Sequence, residues 1–182
     1  FTWVIDPIDG TRAYAAGLPI WGISIGVLRG NEPYVGGFYM PVTNELYWGT
    51  CQEAFYNDQQ INPADKIDPD NPLVFLAVPS DFHHSFRLTY PRIRSMGSTA
   101  AHLAYTATGA AIGSLIRPFS LWDLAGLLPL LSSLGIATSF LSGEVFKASQ
   151  FLDGHSSIEP ILVAHPLVMA YLRSNIHPTL PE

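Results

Sequence analysis

Little of this 182-residue chain is charged, and only one residue is a cysteine. Charged residues make up 13%, with 9 basic against 15 acidic and a net charge of −6. The acidic groups are scattered and no basic cluster exists, which excludes a nucleic-acid surface built on phosphate contacts. Cys51 alone excludes an intrachain disulfide and suits a reducing compartment, so a cytoplasmic location is the expectation. No uninterrupted apolar run is long enough to span a bilayer. The longest, residues 121–137, is broken by Asp123 and Pro129. No signal-peptide pattern, internal repeat or low-complexity tract is recognisable. What is present is apolar: 48% of the residues are hydrophobic, enough to bury a sizeable core in one domain or little more.

The chemistry concentrates in Phe1-Thr2-Trp3-Val4-Ile5-Asp6-Pro7-Ile8-Asp9-Gly10-Thr11. Trp3, Val4 and Ile5 have the β-branched and aromatic character of a buried strand. Pro7 pushes Asp6 towards extended backbone, so the strand persists through it. Asp9-Gly10 reads as a sharp turn, and Thr11 as the cap of a helical turn that Gly17 and Pro19 end. Two carboxylates at the end of a buried strand, beside turn amides, suit a hard cation and a phosphate. Asp6 and Asp9 supply hard oxygen ligands, and the Ile8 carbonyl could be a third. The same residues would also serve as an ordinary turn. The chain opens inside this strand pattern without a methionine, so a segment upstream of Phe1 is expected.

Short strands follow at residues 20–28, 34–40 and 45–50, joined by turns, with a hairpin over 54–61 turning at Asn57-Asp58. This is an antiparallel meander. Residues 62–72 are polar and proline-rich, which predicts a boundary between a unit over 1–67 and a second over 68–182. In the second, strand and helix alternate. Strands are expected at 73–78, 93–96, 110–116, 136–141 and 160–164. Helices are expected at 80–90, 99–108, 120–134 and 166–174. Such alternation predicts an α/β layer.

A third carboxylate, Asp123, stands at the start of the most apolar helical stretch. It suits either a dipole partner there or a ligand aimed at the first two. Ala125 and Gly126 would let that helix pack closely.

These segments resemble a known family. The stretch from Trp3 to Thr11 resembles the first signature of the inositol monophosphatase family, and Trp122-Asp123-Leu124-Ala125-Gly126 its second. Gly22-Ile23-Ser24-Ile25-Gly26, Ala54-Phe55-Tyr56-Asn57 and Arg94-Ser95-Met96-Gly97-Ser98-Thr99-Ala100-Ala101 resemble family segments in the right order. The resemblance covers essentially the whole chain. It implies a layered α/β (α+β) sandwich of alternating helices and sheets, with the N-terminal helices missing. It implies Mg²⁺-dependent hydrolysis of a small phosphomonoester by a metal-activated water. Asp6, the Ile8 carbonyl, Asp9 and Asp123 would be metal ligands, with Asp9 bridging two sites. Gly10 and Thr11 would meet the phosphate, Thr11 also placing the attacking water. Gly97, Ser98 and Thr99 would line the substrate end. A homodimer is the family expectation.

Departures qualify the substrate. The family's first metal also takes a glutamate from a Gly-Glu-Glu-type segment upstream of the first signature, and no residue of this chain matches it. Family members often carry a glutamate seven residues before the second-signature aspartate, where it touches substrate hydroxyls. Here that position is Ile116, followed by Arg117, which would suit a second phosphate or an exposed surface role. A sugar bisphosphatase or 3′(2′),5′-bisphosphate nucleotidase of the same superfamily is therefore an alternative. A catalytically incomplete metal- or phosphate-binding fragment is another. Other features carry less. Gly22-Ile23-Ser24-Ile25-Gly26 fits a nucleophile elbow in letters, but Ser24 lies mid-strand, where an elbow cannot form. His83-His84 lacks metal-ligand spacing, and His102 reads as structural or exposed.

Overall fold

The computed structural model describes residues 1–63 and 67–179. Within the expected boundary stretch 62–72, residues 64–66 lie outside the described residues. The first half is the expected meander. Strands β1 (Thr2–Asp9), β2 (Gly22–Arg29), β3 (Glu32–Met40), β4 (Glu45–Thr50), β5 (Ala54–Tyr56) and β6 (Gln59–Ile61) pair in chain order into one antiparallel sheet. A single short helix, α1 (Thr11–Ala15), interrupts the order between β1 and β2. Asn31, Asn44 and Asn57 adopt positive φ in the hairpin turns, the conformation that asparagine tolerates better than most residues.

The second half is a mixed sheet. Its strands are β7 (Phe75–Ala77), β9 (Ile93–Arg94), β10 (Ala111–Ile116), β11 (Ala137–Phe140) and β12 (Ile161–Ala164), laid out in the order β11-β12-β10-β7-β9. β8 (Phe86–Leu88) pairs apart from it with β13 (Ile176–Pro178). Helices α2 (Thr99–Ala107), α3 (Leu121–Leu124) and α4 (Leu128–Ser133) lie between the sheets, and α5 (Pro166–Ser174) packs against β12. One buried cluster joins Phe38 and Met40 of the first sheet, Leu103 and Ala104 of α2, Leu124, Leu127, Leu130 and Leu131 around α3 and α4, and Ile161 and Val163 of the second sheet. The other face of the first sheet carries Trp3, Ile5, Ile23, Ile25, Leu46 and Trp48, all exposed. No helix among the described residues is long and apolar enough to cross a membrane.

Four expectations need correction. The strand through Trp3, Val4 and Ile5 is not buried: Trp3 and Ile5 lie on the exposed face of the first sheet, and only Val4 turns towards the core. Residues 80–90 do not form a helix: a 3-10 turn at Phe82–His84 leads into β8. The Phe86–Leu88 backbone pairs with Ile176–Pro178, a partner about ninety positions away that no local pattern discloses. The expected helix 120–134 is two helices. Pro129 has no N–H to offer the carbonyl of Ala125, so the ladder breaks there, and Ala125 to Leu127 form a turn. Thr11 does not cap α1. Gly10 holds the N-cap position with φ 85, and Thr11 is the first helical residue.

The break in the second helix has a use. At Ala125-Gly126 the backbone lies directly on the first sheet. A Cβ on Gly26 would fall 2.4 Å from the Ala125 carbonyl, and one on Gly36 2.4 Å from the carbonyl oxygen of Gly126. A Cβ on Gly126 would meet Ser24 Oγ at 2.4 Å and the Gly37 carbonyl at 2.7 Å. Real Cβ atoms do not approach so closely, so glycine is required on both sides of this contact. The glycines of the apparent nucleophile-elbow motif thus serve packing, and Ser24 is buried mid-strand in β2.

Candidate metal centre

Two elements bring three carboxylates together. Asp6 and Asp9 lie on β1, where the register against β2 shifts between them. That irregularity lets both side chains turn to one end of the sheet although they are three residues apart. Asp123 arrives on the first turn of α3, which packs against β1 and β2. One oxygen from each of the three lies within 4.8 Å of the others.

Asp9 is the most enclosed, 3% exposed. Its Oδ1 accepts a short hydrogen bond from Ser98 Oγ and another from the Ala100 N–H at 3.1 Å. Ala100 belongs to the first turn of α2, and Ser98 is its N-cap, accepting the Ala101 N–H at 3.0 Å. Asp123 Oδ2 accepts the Ser120 N–H at 2.7 Å, which orients the side chain back over the start of α3. Asp6 Oδ1 accepts the Ile8 N–H at 3.0 Å.

Such crowding is costly for three negative charges. Burial pushes the Asp9 carboxyl up to about 7; the Ser98 bond opposes the rise, Asp123 and Asp6 add to it, and the Ala100 bond opposes it. Asp123 is raised to about 6, again chiefly by burial, with the Ser120 amide opposing and Asp6 adding. Asp6 is raised by burial and partly held down by the Ile8 amide. Carboxylates gathered at a cost in solvation, with no basic partner in hydrogen-bond contact among the described residues, fit a divalent cation. The donor set is all hard oxygen, which suits Mg²⁺ or a similar ion over a thiophilic one.

The carboxylates open onto a cleft of about 550 Å³. Every residue that the sequence singled out lines it: Asp6, Ile8, Asp9, Gly10, Thr11, Gly97, Ser98, Thr99, Arg117 and Asp123. Ser98, expected at the substrate end, is instead committed to Asp9 and to the α2 cap. Arg117 is anchored, its Nε donating to the Ile158 carbonyl at 2.7 Å and one terminal nitrogen to Ser85 Oγ at 2.5 Å. Ile116 is buried in β10 and offers no polar side-chain atom. Arg12, Ser80, Asp81 and His102 also line the cleft and carried no local signal as site residues; Ser95 and Trp122, inside segments that resemble the family, line it too.

The profile of the inositol monophosphatase family matches residues 1–177. A fructose-1,6-bisphosphatase/inositol-1-monophosphatase of Aquifex aeolicus is 31% identical, over 90% of this chain and 66% of its own length. An inositol-1-monophosphatase of Mesorhizobium japonicum is also 31% identical, over 88% of this chain and 65% of its own. The chain thus spans about two thirds of the length of these curated relatives. Among solved structures, the inositol monophosphatase of Anabaena (Nostoc) sp. PCC 7120 superposes with a TM-score of 0.76 at 26% identity, covering 95% of this chain and 70% of that one. The inositol monophosphatase II of Staphylococcus aureus MSSA476 gives 0.79 at 23%, covering 95% and 65%, and so speaks for the fold alone.

Proposed function

The chain belongs to the inositol monophosphatase family, and we propose that its cleft serves the Mg²⁺-dependent hydrolysis of a small phosphomonoester. One observation carries the reading: Asp6, Asp9 and Asp123, from two separate elements, converge at the head of a cleft of about 550 Å³, large enough for a phosphorylated metabolite.

Asp6, Asp9 and Asp123 would hold the metal, with the Ile8 carbonyl beside them. Bound Mg²⁺ would supply Lewis-acid chemistry, easing deprotonation of a water and offsetting charge on the phosphoryl group. The chain's own contribution is placement. Ser98 and the Ala100 amide fix one oxygen of Asp9 and leave the other free to face the cleft. Gly10, at φ 85, brings the backbone to the cleft wall, and Thr11, an exposed residue of the same lining, follows. These two would meet the phosphate, with Thr11 orienting the attacking water. Attack forms one P–O bond and breaks the ester P–O bond. The water's proton balances the alkoxide, which leaves as the alcohol. Gly97 and Thr99 would flank the leaving group.

A substrate with a second anionic group is favoured by one feature. Where an acidic contact to hydroxyls would stand, Ile116 offers nothing polar, and Arg12 and Arg117 are the cations of the lining. The experiment is a panel of inositol phosphates, fructose bisphosphate and adenosine 3′,5′-bisphosphate, assayed with and without Mg²⁺ on the wild type and on Asp123→Asn. Mg²⁺-dependent release of phosphate that Asp123→Asn abolishes supports the reading. Equal activity of the two proteins refutes it.

A further inference from the structure

The loop entering α2 is held from inside the fold. His102, one turn into the helix, is 4% exposed, and its Nε2 lies 3.0 Å from the backbone nitrogen of Met96. A backbone N–H can only donate. Nε2 is therefore the acceptor, and the ring proton is on Nδ1. Burial lowers the imidazole pKa to about 4, so the ring is neutral at ordinary pH and keeps its lone pair for Met96. The same turn is tied to the second sheet, because the His102 carbonyl accepts from Thr106 Oγ at 2.9 Å and from Ser114 Oγ at 3.0 Å.

Between Met96 and His102 the chain passes through Gly97 at φ +83 and then Ser98. A Cβ on Gly10 would come 2.9 Å from Ser98 Cβ and 3.2 Å from the Gly97 carbonyl, so this loop sits hard against the first signature. Its placement decides where Ser98 Oγ meets Asp9. We propose that His102 is a positioning residue for the metal centre. As a neutral acceptor it pins the Met96 amide, and the pinned loop delivers the Ser98 hydroxyl to Asp9. Without it, the Met96 N–H loses its partner inside the fold, and the loop must rearrange to satisfy it. The inference rests on the reading of Asp9 as a metal ligand.

Two measurements test it without an activity assay. In two-bond ¹⁵N–¹H spectra of the wild type at pH 7, His102 is expected as the neutral Nδ1–H tautomer; the Nε2–H tautomer would overturn the proposal. Mn²⁺ titration followed by paramagnetic resonance then compares variants. Loss of outer-shell support typically weakens metal affinity at least tenfold, so His102→Leu is expected to bind Mn²⁺ about tenfold more weakly. His102→Gln, whose side-chain oxygen can accept from Met96, should recover most of that loss. Wild-type affinity in His102→Leu, or equal loss in both variants, would overturn it. If His102→Leu fails to fold, the tautomer and the affinity of His102→Gln decide. Asp9→Asn separates the two claims. Should it bind Mn²⁺ as the wild type does, the metal reading falls; should it lose binding while His102→Leu keeps it, only the role of His102 falls.

Discussion

Asp9→Asn is expected to stabilise the metal-free protein, and to do so more at pH 8 than at pH 5. Oδ1 of Asp9 accepts two hydrogen bonds, from Ser98 Oγ and the Ala100 amide, and an asparagine oxygen can accept both. The substitution therefore removes a buried charge while keeping shape and bonding. The Asp9 carboxyl rises from 3.8 to about 7 on folding, chiefly through burial. Between those values the folded state holds a proton that the unfolded state has lost, so stability falls as pH rises through this window and levels off above it. At roughly 1.4 kcal/mol per pH unit, the ionised group costs about 4 kcal/mol at pH 8 and under about 2 kcal/mol at pH 5. The advantage of Asp9→Asn should grow by about 2–3 kcal/mol between the two, or roughly 5–10 °C in melting temperature for a domain of this size. Thermal denaturation in chelator at pH 5, 6, 7 and 8 measures it. A melting difference independent of pH would refute the burial argument. Saturating Mg²⁺ should reverse the order at pH 8 by stabilising the wild type alone.

The same carboxyls predict a steep pH dependence of metal binding. With groups near 7 and near 6 to deprotonate, apparent affinity should rise roughly a hundredfold from pH 5.5 to 8, and calorimetry near pH 6 should detect released protons. Ser98→Ala removes the hydroxyl that holds the Asp9 pKa down, so this dependence should shift to higher pH. Gly126→Ala, whose Cβ would meet Ser24 Oγ at 2.4 Å, should destabilise by about 1–3 kcal/mol or more and weaken metal binding with it. Gly30→Asn is the control: its φ of +58 lies where asparagine is tolerated, and nothing lies within 4 Å, so the melting temperature should move little.

Much of the site was legible because its signals are local. Asp6-Pro7-Ile8-Asp9-Gly10 carries two carboxylates, strand and turn within five positions, and the helix expected from residue 99 starts there, behind the Ser98 cap. The bounds of α5, with proline in its first turn, were readable for the same reason. What stayed hidden depends on distant partners. The Ser98–Asp9 bond joins residues 89 positions apart, and the β8–β13 pairing a similar distance. His102 looked bland because its partner is a backbone amide, which leaves no trace in residue identity. The break after Leu124 was foreshadowed by Pro129, but apolarity across residues 121–134 masked it.

The seam where Gly126 rests on β2 and β3 bears on ion choice. Asp6 sits opposite Ser24 in the β1–β2 register, Ser24 abuts Gly126, and Gly126 lies three residues beyond Asp123. The two jaws of the carboxylate cluster are thus spaced by one short serine side chain seated against bare main chain. With so little play, a cation held there would be sorted by radius: the site would suit an ion that demands near-octahedral geometry at short oxygen distances, with little slack for a larger ion that prefers seven or eight loosely arranged ligands.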